Sequence, residues 1–362
     1  MKFACNLPLN PVSFGQVSLA LLREMFSRDI SPDVFPIGPV QLEAQKPDND
    51  FGQRLQACIN NCLGGHSRST PIFKLWHFNG GFESFSNKQI LMTFYELDSP
   101  TKEEINIARN NHAVIVTSDF SKKVLEFVGG LSNVVYIPLG FDAYHFYRKE
   151  TPYFNDGRIV FNLAGKLEKR KHHAKVLQTW AKRFGNNPKY SLQCAIYNQF
   201  ISSEQNSGAI NQILGNQRYG NIIFLGGMQS NELYNDFLNS GHIIIGMSGG
   251  EGFGLPEFQS LALGKHGIIL DAHAYKTWAN DKNAVLVKPA GKIPVYDGLF
   301  FQQGSPFNQG NIYDWNADEF IAACEEAIKR VEAKPLNEEG LKLQQEFTYA
   351  KTLDGILKVL ES

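Results

Sequence analysis

Short runs of β-branched and apolar residues alternate along the chain with longer stretches whose apolar positions recur at helical spacing. A first set of runs lies at 1–7, 71–76, 89–94, 113–116 and 134–137. A second lies at 158–163, 191–196, 221–224, 242–247, 267–270 and 284–287. Alternation of this kind predicts parallel sheets crossed by helices. Between the sets, residues 144–157 are aromatic, charged and rich in turn formers, with Pro152 and Asn155-Asp156-Gly157. Such a break in composition marks a domain boundary. The pattern therefore predicts an α/β protein of two doubly wound domains, residues 1–150 and 151–340. Residues 294–315, which mix glycine, proline and aromatics, read as an irregular functional loop or insertion.

Size and charge narrow this picture. A chain of 362 residues exceeds the usual single core, which agrees with two domains. Hydrophobic residues make up 43% and the formal net charge is −1, so bulk charge gives no reason to expect a polyanion coat. Residues 1–150 carry 14 basic and 15 acidic side chains, with no basic surplus. No apolar run approaches the ~18–20 residues that span a bilayer. Pro8 and Pro11 break the N-terminus too early for a signal peptide. The cysteines, Cys5, Cys58, Cys62, Cys194 and Cys324, are sparse and odd in number. That favours a reducing compartment, and a cytoplasmic location is expected. Cys58, Cys62 and His66 fall at i, i+4, i+8 on a predicted amphipathic helix over 51–63, but Gly64-Gly65 ends that helix before His66.

In open α/β sheets ligands gather where loops and helix N-termini follow the strands. The segment after Ile243-Ile244-Ile245 reads Ser248-Gly249-Gly250-Glu251-Gly252-Phe253-Gly254-Leu255-Pro256-Glu257-Phe258-Gln259, and Gly264 follows five residues later. Pro256 suits the first turn of a helix that Gly264 closes. The glycines let backbone approach a ligand, and the helix N-terminus favours an anion. An acid inside such a loop, Glu251, needs a chemical reason to be there.

This segment resembles the signature loop of retaining glycosyltransferases of the GT-B fold, most closely glycosyltransferase family 4. The family pattern is a Glu, then Gly-Phe-Gly-Leu-Pro, then a second Glu. Glu251 takes the first position and Gln259 stands at the second, a departure, with Glu257 the nearest acid. Three other segments are similar to family elements in order and spacing. Pro138-Leu139-Gly140-Phe141-Asp142 to Phe146 resembles an interdomain element. Gly165-Lys166 with Lys171 resembles the diphosphate stretch, His172 standing where Gly is usual. Asn221 to Gly226-Gly227 resembles the base-binding strand and loop. Gly15 sits where the family has its first glycine loop.

The resemblance implies a GT-B architecture of two Rossmann-like domains facing a central cleft, with residues 341–362 supplying a last helix that crosses back to the first domain. It implies a retaining transfer of a sugar from a nucleotide-diphosphate donor to a hydroxyl acceptor. Lys166 and Lys171 would take the place of a metal on the diphosphate, so no metal or cofactor is expected. Glu251 would hold donor-sugar hydroxyls and Gln259 the ribose. Gly15, Gly165, Gly226, Gly227, Ser248, Gly249, Gly252, Phe253, Gly254 and Leu255 would line the donor. His77, at the end of the run Phe73-Lys74-Leu75-Trp76, would face the acceptor side, with Glu96 at its edge. The acceptor is left open among a glycan, a small molecule and a modified nucleic acid. The alternatives are a transferase acting on a modified DNA base or other polymer, a degenerate nucleotide-sugar binder marked by Gln259, and an epimerase or phosphorylase on the same scaffold.

Overall fold

Runs such as Ala113-Val114-Ile115-Val116 and Ile243-Ile244-Ile245 are apolar on both faces, as strands buried in parallel sheets must be. In a computed structural model, which describes residues 2–149 and 156–362, they form two six-stranded parallel sheets. The chain divides into two units. Unit 1 comprises residues 1–145, 304–310 and 347–362, and unit 2 comprises 146–303 and 311–346. The expected division between 150 and 151 lies outside the described residues.

Unit 1 runs β1 (Ala4–Pro8), α1 (Ser13–Ser27), β2 (Asp33–Ile37), α2 (Asn49–Leu63), β3 (Ile72–Leu75), β4 (Gln89–Thr93), α3 (Lys102–Asn110), β5 (Ala113–Val116), α4 (Asp119–Lys123) and β6 (Val134–Tyr136). The strand order is β2-β1-β3-β4-β5-β6. Helix starts are written in the sequence. Thr101 and Glu104 form a reciprocal capping box at α3, and Asp48 accepts from Phe51 N at α2. One side of the sheet packs Leu91, Val114 and Val116 against Ile107, Leu125 and Leu131.

Unit 2 runs β7 (Ile159–Ala164), α5 (His173–Phe184), β8 (Tyr190–Ala195), α6 (Ser203–Ile213), β9 (Ile222–Phe224), α7 (Asn231–Ser240), β10 (Ile243–Gly246), α8 (Leu255–Ala262), β11 (His266–Leu270) and β12 (Val285–Val287). There follow β13 (Pro289–Pro294), β14 (Asn311–Trp315), α9 (Ala317–Ala333), α10 (Glu338–Leu341) and α11 (Leu343–Glu346). Its order, β12-β11-β10-β7-β8-β9, reverses between β7 and β10. That is the topological switch point at which doubly wound sheets bind ligands. The stretch expected to be irregular is partly regular: β14 pairs antiparallel with β13. The last helix, α12 (Tyr349–Glu361), belongs to unit 1. Phe141 N donates to Phe347 O, and Thr352 Oγ1 donates to Pro138 O at 2.8 Å. Gly140 admits this approach, since a Cβ there would lie 2.1 Å from Tyr349 N. No helix among the described residues is long and apolar enough to cross a membrane.

Candidate active site

The loops leaving β7 and β10 meet in unit 2. After β10 the backbone turns at Gly254 (φ 83°) into α8, with Pro256 in its first turn. A Cβ on Gly254 would strike the Tyr275 ring at 2.4 Å, so both space and backbone conformation require glycine. Gly249 is fixed by close approach: a Cβ would lie 2.5 Å from Tyr313 O and 2.8 Å from His172 Nε2. Its N–H donates to Arg170 O, and its carbonyl accepts from Tyr313 N. Hairpin strand β14 is thereby joined to the glycine loop, which in turn is joined to the loop after β7.

Glu251 is buried at the centre. Lys171 Nζ donates to its Oε1 at 2.5 Å, and Arg170 Nη1 lies 3.1 Å from the same oxygen. Burial alone would raise this carboxyl, but Lys171 and Arg170 override it and hold it down at about 2. Arg170 also donates to Gly250 O and, through Nη2, to Glu168 Oε1 at 2.6 Å. Lys166 closes the chain with its Nζ 2.9 Å from Glu168 Oε2. It is the more accessible lysine, and its ammonium lies 3.5 Å from the Phe300 ring centre, a cation–π distance. Gly165 (φ 117°) lets Lys171 fold back beside it, a Cβ there lying 3.3 Å from Lys171 Cε.

Three histidines floor the loop. His172, His173 and His273 meet the carbonyls of Tyr313, Ala164 and Ser248 through Nε2. A carbonyl can only accept, so each ring carries its proton on that nitrogen. Burial lowers all three, His173 to about 3 and His273 to about 4, with Lys171 adding to the first. His172 stands in a left-handed conformation (φ 55°), which accounts physically for a glycine being usual at that position. In the first turn of α8, Glu257 is buried and faces Gly246 and Tyr275. Burial first, opposed by Lys171 and reinforced by Glu251, pushes it up to about 7.

The remaining expected residues fall as follows. Ser248 is buried and donates to Gly250 O at 3.2 Å. Gly252 is buried, and Phe253 packs on Phe258. Leu255 begins α8 and is half-buried. Gln259 is buried on α8, and its amide makes no hydrogen bond among the described residues. Gly226 and Gly227 are exposed after β9. Gly15 and His77 belong to unit 1. Gly15 lies under the loop from β1, where a Cβ would meet Asn10 O at 2.1 Å, and His77 is exposed after β3. Asp48-Asn49-Asp50, an Asp-x-Asp triplet, opens α2, where Asp48 caps the helix and pairs with Arg23 at 3.0 Å. His66 turns to Phe85 O at 2.8 Å. Sequence reasoning gave no role to Arg170, Glu168, His273 or Tyr313, and noted Glu257 only as the acid nearest Gln259.

Two Rossmann-like units with this charged glycine loop at a switch point have the fold of GT-B glycosyltransferases. Sucrose-phosphate synthase from Thermosynechococcus elongatus is similar over 100% of this chain and 98% of its own, at 15% identity and a TM-score of 0.69. A glycosyltransferase from Rickettsia africae is similar over 99% of this chain and 98% of its own, at 12% identity and 0.68. HepE from Anabaena, solved in complex with UDP and glucose, matches over 99% and 100%, at 13% identity and 0.68. No protein-family model matches the sequence, and no curated protein sequence does.

Proposed function

We propose that the chain is a retaining, metal-independent glycosyltransferase. Unit 2 takes a nucleotide-diphosphate sugar, and unit 1 takes the hydroxyl acceptor. The observation that carries this reading is the buried ion cluster around Glu251 at the switch point of unit 2. Charge arithmetic supports it. Lys166, Arg170 and Lys171 face Glu168 and Glu251, and burial raises Glu257 to about 7, so three cations meet two full anions and a third carboxyl that is partly protonated near neutral pH. The cationic excess suits an incoming diphosphate, and the first turn of α8 adds backbone donors. The complexes of HepE with UDP and with UDP-glucose agree with such a donor.

In this reading the anomeric C–O bond to the diphosphate breaks as the acceptor oxygen bonds to the same face of that carbon. The acceptor proton passes to a leaving phosphate oxygen, and no protein nucleophile takes part. Lys166 meets the charge growing on the diphosphate. Lys171 and Arg170 keep Glu251 ionised and hold one of its oxygens, so that the other can accept from donor-sugar hydroxyls. Gln259 would accept one ribose hydrogen bond without charge assistance, about half the strength a carboxylate gives.

The test is a thermal-shift panel of UDP-, GDP-, ADP-, CDP- and TDP-sugars with and without magnesium. Ligand at about 100 times its Kd stabilises by about 2.7 kcal/mol, a shift of several degrees. One nucleotide class should raise the midpoint equally with and without metal. No shift with any nucleotide would defeat the donor assignment, and a shift that needs magnesium would defeat metal independence.

A further inference from the structure

In unit 1 the strand order reverses between β1 and β3, so the loops after those strands form that sheet's switch point. What gathers there is aromatic. Phe14, in the first turn of α1, packs its ring 4.2 Å from Phe94, 4.4 Å from His77 and 5.8 Å from Trp76, centre to centre. Phe14 is buried beneath, while Trp76 and Phe94 are half-exposed and His77 lies open at the rim. The chain has four tryptophans. Trp180, Trp278 and Trp315 are 0–2% exposed, so Trp76 alone reaches solvent.

This surface is braced. Lys74, buried in β3, donates through Nζ to Gly80 O at 2.6 Å and Glu83 O at 2.7 Å. An ammonium is thus spent on holding the turn after Trp76. Gly80 lets that turn cross the indole edge, since a Cβ there would lie 2.6 Å from Trp76 Cδ1. A half-exposed indole and a half-exposed phenyl meet over Phe14, and the turn beside the indole is held by a buried cation, which makes a preorganised aromatic surface. Beside it stands an imidazole, His77.

We propose that this surface takes a saccharide as the acceptor, its apolar C–H face on the Trp76 indole beside Phe94 and its hydroxyls toward His77; this rests on the transferase reading above. A half-exposed indole bordered by a hydrogen-bonding imidazole matches a sugar ring, which is apolar on its face and polar on its edge. The buried ammonium of Lys74 is committed to two carbonyls, so it is not offered to a phosphate-bearing polymer.

The position of Trp76 supplies a test independent of turnover. Acrylamide quenching of tryptophan fluorescence reports Trp76 while the three buried indoles respond weakly. Methyl glycosides of glucose, galactose, mannose and N-acetylglucosamine, with maltose and cellobiose, form the probe panel, and thymidine and deoxycytidine are its counterparts. At least one saccharide should lower the quenching constant about twofold, as expected when a ring covers one face of the indole. Trp76→Phe should abolish the effect, and Phe94→Ala should weaken saccharide binding at least fivefold while leaving UDP binding by calorimetry unchanged. Shielding by a nucleoside and by no saccharide would overturn the proposal in favour of a planar base, and shielding by neither would reduce the cluster to loop packing. Calorimetry of UDP with the wild-type protein separates the two readings. Absent UDP binding defeats the donor assignment and leaves the saccharide result standing.

Discussion

His172 and Glu257 show how single residues carry strain and charge in unit 2. A non-glycine residue in the left-handed region costs roughly 1–2 kcal/mol, partly offset here by the bond from Nε2 to Tyr313 O. His172→Ala keeps the strain and loses the bond, whereas His172→Gly relieves the first while losing the second. Urea unfolding should place His172→Ala about 1 kcal/mol below His172→Gly. Equal midpoints would mean that the strain is relaxed elsewhere. Glu257 gives a pH signature. Its carboxyl is raised from 4.5 to about 7, so the folded protein holds this proton more tightly than the unfolded chain does. Its contribution therefore declines as pH rises from about 4.5 through 7 and is flat above. Glu257→Gln should remove that slope, and the variant's gain in thermal midpoint over wild type should grow between about pH 5 and pH 8. An unchanged difference across that range would show that Glu257 stays ionised. Glu251 was legible in the sequence because an acid among glycines has few other uses. Arg170 was not, because its neighbour Lys171 already answered for the diphosphate and the buried pairing of Arg170 with Glu168 and Glu251 is set by tertiary contacts that no local pattern announces.

At the scale of elements, most of the parallel strands were legible to within a residue, and the first to within three, since β-branched runs buried on both faces leave no competing pattern. Residues 113–116 coincide with β5, and the run at 242–247 contains β10. Strand β2 was missed because Pro36 interrupts it. Proline is tolerated there because β2 is an edge strand whose outer side needs no donor. The hairpin of β13 and β14 was missed for a different reason: β13 is almost wholly exposed and shows no alternation. Its place is set by a tertiary contact, Tyr313 against Gly249, that no local pattern announces. A paired substitution tests this coupling. Gly249→Ala forces a methyl into backbone 2.5 Å away and should cost about 1–3 kcal/mol. Gly226→Ala, with nothing within 4 Å, should stay within about 0.5 kcal/mol of wild type. Comparable losses would show that the loop, and not the hairpin contact, sets the cost.

For the whole molecule, chain order and folding unit do not coincide, because residues 304–310 and 347–362 belong to unit 1 although they follow most of unit 2 in sequence. Phe307 packs against the unit 1 core, and Asn308 N donates to Glu104 Oε1 at 2.9 Å. Helix α12 adds Leu353, Ile356 and Leu360, each at most 1% exposed, and Arg28 pairs with Asp354. Burying three such side chains contributes about 5–9 kcal/mol, comparable to the whole stability of a domain. Removing residues 347–362 should therefore unfold unit 1. Unit 2 keeps its sheet, its helices and the ion cluster around Glu251. Hydrogen exchange on the truncated chain should show protection lost in β1 and β3–β5 and retained in β7, β8 and β10. Protection kept in β1 and β3 would mean that unit 1 closes its core without its last helix, and that the sixteen C-terminal residues serve the site instead of the fold.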